Sequence, residues 1–376
     1  MRPKRIWTGG ALMAALVAGS AAQAQTAARS DNTAFGTTSA EFLLLGAGAR
    51  GAALGGSFAA IATDVTALYW NPGGLARIDH SGLTISTYEY LADTRYSWVG
   101  IAFPMDQGAR AIGFHGATFG FSDAPVYTLE APDGDGTVYR VAESYFAATY
   151  AQNFSDRFSA GFSAKMIVDQ LGRTSGTAFA VDFGTSFHAQ VGPRPIRASF
   201  TIQNLGTTLK HDGAGLDATI ERQPPPGQPN FPQEPQPAAL RTKDFQLPTL
   251  FRVGLAFDFV TNASTRVTVT SEFNQPNNSR PTAGGGMEWS LLNIGNSGFG
   301  AHVRGGYTYQ PDNDVTPDAT AAGFASTVGS QENLDGVAFG GGLGFEKGDF
   351  GFGVDYANRG LGILGRTHYL SASITW

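Results

Sequence analysis

Beyond residue 24 the chain has no run of about 18 or more apolar residues, which a membrane-spanning helix requires, yet large apolar side chains return at every second position in segment after segment. Phe251, Val253, Leu255, Phe257 and Phe259 alternate with Arg252, Gly254, Ala256 and Asp258. Phe158, Ala160, Phe162, Ala164 and Met166 do so against Ser159, Gly161, Ser163 and Lys165. Phe179, Val181, Phe183 and Phe187 oppose Ala178, Asp182, Gly184 and Ser186, and Phe350, Phe352, Val354 and Tyr356 oppose Gly351, Gly353 and Asp355. Residues two apart share a strand face. One face is therefore large and apolar, the other mostly Gly, Ala, Ser and isolated charges. A solvated sandwich face would carry Lys, Glu and Thr, so this pattern fits a membrane barrel with a narrow lumen. Composition agrees: 15% of residues are charged and 50 of 376 are glycine, against about 25% and about 7% in soluble domains.

Fourteen such segments follow in order: 83–90, 95–104, 109–119, 141–150, 158–167, 176–187, 196–203, 249–259, 266–273, 282–289, 299–309, 337–345, 349–356 and 368–376. Most approach the roughly 9–11 residues that a tilted strand needs to cross a bilayer. The fold expected is all-β, a 14-stranded antiparallel transmembrane barrel over residues 81–376. An even count returns both ends to one side. With the N-terminus periplasmic, odd connections face outward, and the three long ones (about 120–140, 204–248 and 310–336) are the third, seventh and eleventh. Long outer loops and short periplasmic turns are the usual asymmetry of such barrels.

Arg2, Lys4 and Arg5, the apolar stretch Gly10–Gly19 and Ala22-Gln23-Ala24 read as a secretory signal peptide over 1–24. A retained anchor would need about 20 apolar residues. The last strand places Leu370, Ala372, Ile374 and the terminal Trp376 on one face, resembling the C-terminal assembly signal of bacterial outer-membrane barrels. Tyr88, Tyr90, Tyr96, Trp98, Trp289, Tyr307, Tyr309, Tyr356 and Trp376 are candidates for interfacial girdles, with packing elsewhere as the alternative.

Several chemistries fall away. No cysteine excludes disulfides, thiolate ligands and a thiol nucleophile, and a formal charge of −6 offers no basic surface for nucleic acid. Gly46-Ala-Gly48-Ala-Arg-Gly51 is formally a dinucleotide fingerprint with Asp64 downstream, but strands rather than a βαβ unit follow. The six histidines (His80, His115, His188, His211, His302, His368) lack metal-ligand spacing. Asp133-Gly-Asp135-Gly reads as an acidic turn before a calcium site. No G-x-S-x-G elbow is present. The Pro/Gln-rich stretch 223–237 reads as an extended spacer or a partner-binding arm. The reading is non-enzymatic, without cofactor or metal.

From Phe42 the chain runs FLLLGAGARGAALGGSFAAIATDVTALYWNPGGLARI. With AVDFGTSF (180–187), SFTIQNLG (199–206), LPTLFRVGLAFDF (247–259), RGGYTY (304–309) and residues 351–376, it resembles the PorV/PorQ family, barrels related to FadL-type fatty acid transporters. The insertions near Lys210–Lys243 and Asp312–Asn333 depart from the pattern. The resemblance implies that residues 25–80 fold into the lumen as a hatch, with Trp70, Asn71, Pro72, Gly73 and Gly74 as its turn motif. A plain linker into the first strand is the alternative. Gly46, Gly48, Gly51, Gly55 and Gly56 suit close packing on a wall, and inward Gly340, Gly342 and Gly344 leave room. Arg50, Asp64 or Arg77 could pair with the lumen charges Arg252, Asp258 or Glu272.

Two functions follow from the resemblance. One is an accessory of type IX secretion that binds a larger translocon and exported proteins. The other is passive uptake of hydrophobic compounds such as long-chain fatty acids, with Phe42, Phe58, Phe119 and Ala256 lining a pocket. Either places the protein in the bacterial outer membrane among its lipids.

Overall fold

In the computed structural model, residues 36–129, 131–220, 235–310, 336–362 and 365–376 are described. The signal-peptide reading for 1–24 and parts of the seventh and eleventh connections lie outside them.

Fourteen antiparallel strands close on themselves. They are β1 (Gly82–Glu89), β2 (Arg95–Met105), β3 (Arg110–Gly120), β4 (Val141–Ser155), β5 (Phe158–Leu171), β6 (Thr174–Val191) and β7 (Arg194–Gly206). The circuit continues with β8 (Leu250–Thr261), β9 (Thr265–Pro276), β10 (Thr282–Leu291), β11 (Phe299–Tyr309), β12 (Val337–Lys347), β13 (Phe350–Gly360) and β14 (Arg366–Thr375). Every neighbour in sequence is a neighbour in the sheet, and β14 pairs with β1 from Gly82↔Thr375 to Tyr88↔Tyr369. Closure leaves no barrel edge unpaired, which hydrocarbon surroundings demand.

The alternation sorts as the sequence implies. Phe162, Met166, Phe179, Phe183, Phe352 and Leu370 project outward and exposed, whereas Ser163, Lys165, Asp182 and Ser186 are buried inside. Strands β4 and β5 run past their expected C-terminal limits, and β6 and β7 run past both, β6 reaching 18 residues. Their extra turns carry polar residues that alternation alone does not flag.

The girdle expectation is corrected for four residues. Tyr88, Tyr96 and Trp98 are buried in the lumen, and Tyr90 packs against the same core. Trp289, Tyr307, Tyr309, Tyr356 and Trp376 face outward and exposed.

The N-terminal segment from Gly36 to Ser81 runs through the lumen. A 3-10 turn at Glu41–Leu44 leads to α1 (Ala49–Ala53), then α2 (Ala67–Trp70) and a 3-10 turn at Pro72–Arg77. Apolar residues of these short elements and of the stretches between them form the core, among them Phe42, Leu54, Phe58, Leu68, Trp70 and Leu75. The small side chains of this segment let it occupy a space that a bulkier sequence would overfill.

Candidate functional site

The segment crosses the barrel from end to end. Near its start, the Ser39 amide donates to Gln246 O at 3.0 Å, and Thr38 forms a bridge with Gln246 in the connection between β7 and β8. Asn278, in the β9–β10 connection, donates to Glu41. These connections share the long-loop end. At the opposite end Arg77 donates to Asp156 O at 2.9 Å, in the two-residue turn between β4 and β5.

The turn motif is fixed by one buried side chain. Asn71 Nδ2 donates to Ala59 O and to Thr185 O, both at 3.1 Å, and Asn71 Oδ1 accepts from Gly73 N at 3.0 Å. The segment's own fold and its seat on β6 thus share one amide. Trp70 Nε1 donates to Ala47 O at 2.7 Å, and its ring lies against Gly46 and Gly51, where a Cβ would stand 3.0 and 2.6 Å from ring carbons. Gly55 and Gly56 have φ of 65° and 80°, a turn that side chains resist.

The wall is notched to match. A Cβ on Gly184 would reach within 2.3 Å of Asn71 Oδ1, on Gly161 within 2.4 Å of Pro72 O, and on Gly306 within 2.2 Å of Leu54 C. Gly340, named from sequence as inward, abuts Ala53. Gly342 instead faces Asp355 and Arg304, and Gly344 meets only Phe352 O of the neighbouring strand, at 3.8 Å.

The charges pair, though not in the combinations sequence suggested. Arg50 grips Glu288 with Nε–Oε2 at 2.9 Å and Nη2–Oε1 at 2.8 Å, and reaches Asp64 at 2.9 Å. Glu288 also accepts from Arg304 Nε at 2.6 Å, and Arg304 continues to Asp355. Burial opposes the charge on Arg50, but Glu288 and Asp64 outweigh it and hold its pKa above the ordinary arginine value. Of the named lumen charges, Arg252 faces Glu272 at 3.4 Å and covers the Trp70 ring at 4.8 Å. Glu272 accepts backbone N–H of Phe58 and Ala59 at 3.0 and 2.9 Å, while Asp258 pairs with Arg197. Arg77 meets backbone carbonyls instead of a carboxylate. Burial pushes the Tyr69 hydroxyl up to about 12, against the pull of Arg252. Lys165, buried between Asp182 at 2.7 Å and Asn204 at 2.8 Å, was missed as a site residue. Its inward phase was readable, but its partners, Asp182 on the adjacent strand and Asn204 one strand further, were not.

The outer half of the lumen holds an aromatic cluster. Phe42 stacks on Phe119 with centroids 6.4 Å apart, Tyr88 lies between Tyr96 and Tyr369, and Trp98 Nε1 donates to the Tyr145 hydroxyl at 3.1 Å. The pocket assigned to Phe42, Phe58, Phe119 and Ala256 is corrected. Phe42, Phe58 and Ala256 are close-packed core, and a cavity of about 1060 Å³ opens instead between the segment, Arg266 of β9 and strands β11–β14 at the short-turn end.

The discarded motifs fold into ordinary roles. Gly46–Gly51 leads into α1, whose first amides are capped by Ser86 and Ser371 hydroxyls at 3.2 and 2.7 Å. Asp135 Oδ1 accepts from Thr137 N at 2.8 Å, closing a local turn. No group of three metal-ligating side chains occurs among the described residues.

A closed 14-stranded barrel with an apolar exterior and a polar-and-glycine interior is a membrane barrel of FadL-like architecture. The Pseudomonas aeruginosa FadL homologue aligns at TM-score 0.50 with 11% identity, covering 87% of this chain and 97% of that one. The Pseudomonas putida toluene transporter TodX gives 0.51, 11%, 88% and 97%, and the CymD monoaromatic hydrocarbon channel 0.51, 13%, 88% and 97%. At such identities the likeness is one of fold. No curated protein matches. Residues 27–223 match the family described as type IX secretion system protein PorV, and the chain belongs to that family. Fold and family point to the bacterial outer membrane, and the family to a barrel associated with type IX secretion.

Proposed function

We propose that this barrel serves type IX secretion as a non-catalytic docking platform, exported by its signal peptide and presenting its outer loops to a larger translocon and to exported proteins. The observation that carries the reading is the family match across the N-terminal segment and the first half of the barrel. The packed lumen supports it. A segment tied to both ends of the barrel leaves no room for a polypeptide, so the work falls to the loops. The residues proposed to hold it are Asn71, Gly73, Arg50 and Glu272, with Arg252 and Asp258 bracing the wall around them.

A second reading, passive uptake of a hydrophobic compound, is favoured by the FadL-like fold that the barrel shares with the toluene transporter TodX and the CymD monoaromatic hydrocarbon channel. Purification of the tagged protein from its own outer membrane in mild detergent, with mass spectrometry of proteins and bound small molecules, separates the two. Recovery of a much larger barrel or of exported proteins sharing a C-terminal domain is the expected result. The barrel alone with a hydrophobic compound transfers the assignment to uptake.

A further inference from the structure

Two sets stand out among the inward glycines of β10–β13. Gly286, Gly306 and Gly340 are notches for the lumen segment, since a Cβ on any of them would come within 2.9 Å of Leu54 or Ala53. Gly300 and Gly344 touch nothing of that segment: the nearest atoms to their Cβ positions belong to the wall itself, Leu291 O at 3.3 Å and Phe352 O at 3.8 Å. Packing of the segment explains the first set and leaves the second without a reason. The second set lines the cavity of about 1060 Å³, the upper end of what small-molecule sites enclose.

Its charges are unequally committed. Arg50 and Arg304, both lining the cavity, are held by Glu288, Asp64 and Asp355. Arg266, on the same wall, has no carboxylate within ion-pair distance among the described residues, and its Nε is buried without a hydrogen-bond partner. Beside it, His302 Nδ1 lies 2.8 Å from Ser290 Oγ, which fixes the ring and leaves its other nitrogen on the Gly300 side. A guanidinium with an unused Nε–H, lining the same cavity as the side-chain-free stretch at Gly300 and Gly344, suits an oxyanion.

We infer that the cavity binds a polar solute bearing a carboxylate or phosphate, with Arg266 as the anion-binding residue and the Gly300–Gly344 floor accommodating the solute's body. The site is independent of the secretion role. It opens at the short-turn end, so its ligand comes from the periplasmic side.

The test is calorimetry on the purified full-length barrel in detergent with glucose 6-phosphate, gluconate and uncharged glucose as probes. Both anions should bind and glucose at least about tenfold more weakly. R266Q should weaken the anions about tenfold, the usual worth of a charge-assisted pair, and R266K should recover part of the loss. Folding of each variant is checked by its heat-dependent gel shift. Should R266Q fail to fold, G344V, which fills the floor, supplies the second variant and should weaken both anions. Glucose binding as tightly as its anions, anion binding unchanged in a folded R266Q or G344V, or no binding of any probe at millimolar concentration overturns the inference.

Discussion

At the scale of single residues the barrel depends on atoms that serve two structures at once. Asn71 is fully buried, and its one amide ties the segment to itself and to β6. N71A orphans two carbonyls and an amide, at roughly 1–3 kcal/mol for each left unsatisfied. The expected outcome is a lower unfolding midpoint in urea and faster entry of a bulky antibiotic into whole cells. Unchanged permeability would separate the segment from any sealing role. Glu288 invites a double-mutant cycle, because it neutralises two buried guanidinium groups. E288Q should cost about 3–5 kcal/mol, the penalty of leaving a buried pair broken. R50M combined with E288L should cost less than the sum of R50M and E288L, and strict additivity would show that the pair is not coupled.

Elements were legible in the sequence because a strand announces itself by period, and their count and connection parity came through with it. Which face turned outward was legible only where the two phases differed in size. In β5 and β6, Phe162 and Phe183 stand against Ser163 and Asp182, and the assignment follows. In β1 and β2 the inner phase is itself aromatic, since Tyr88, Tyr96 and Trp98 pack under the lumen segment. Alternation has no term for what fills the lumen, so those three read as girdle residues. The Arg50–Glu288 pair was hidden for a related reason: its members lie 238 residues apart, and only closure of the barrel brings them together. The exterior assignment makes its own prediction. Phe183→Arg, on the lipid face, should cost about 2–4 kcal/mol if it sits near the bilayer midplane. Its neighbour Asp182, buried against Lys165, should respond differently: D182N should strand the lysine, and its effect should fall when Lys165 becomes Met. Measured by urea unfolding in liposomes, equal costs for Phe183→Arg in lipid and in detergent would deny it a lipid-facing place.

The whole molecule has a direction that neither the period nor the family motif specified. Short turns mark one end, including Asp156–Arg157 and Gly348–Asp349, and long connections mark the other. The lumen segment begins beside the long connections, through Thr38 and Gln246, and leaves beside the short turns, through Arg77 and Asp156. If long loops face outward, as in barrels of this type, then Gly36, the first described residue, sits at the outer mouth although β1 starts at the periplasmic rim. The absence of native cysteine makes this directly measurable. Leu129→Cys lies in the third connection at 99% exposure, Asn296→Cys in the turn before β11, and Gly36→Cys at the start of the segment. A membrane-impermeant maleimide applied to intact cells should label positions 129 and 36 and should reach position 296 only after the outer membrane is opened. Labelling of 296 but not 129 in intact cells would invert the barrel. Labelling of 129 without 36 would keep the barrel upright and remove the segment's start from the outer mouth, and with it the contact by which the β7–β8 connection holds the lumen segment in place.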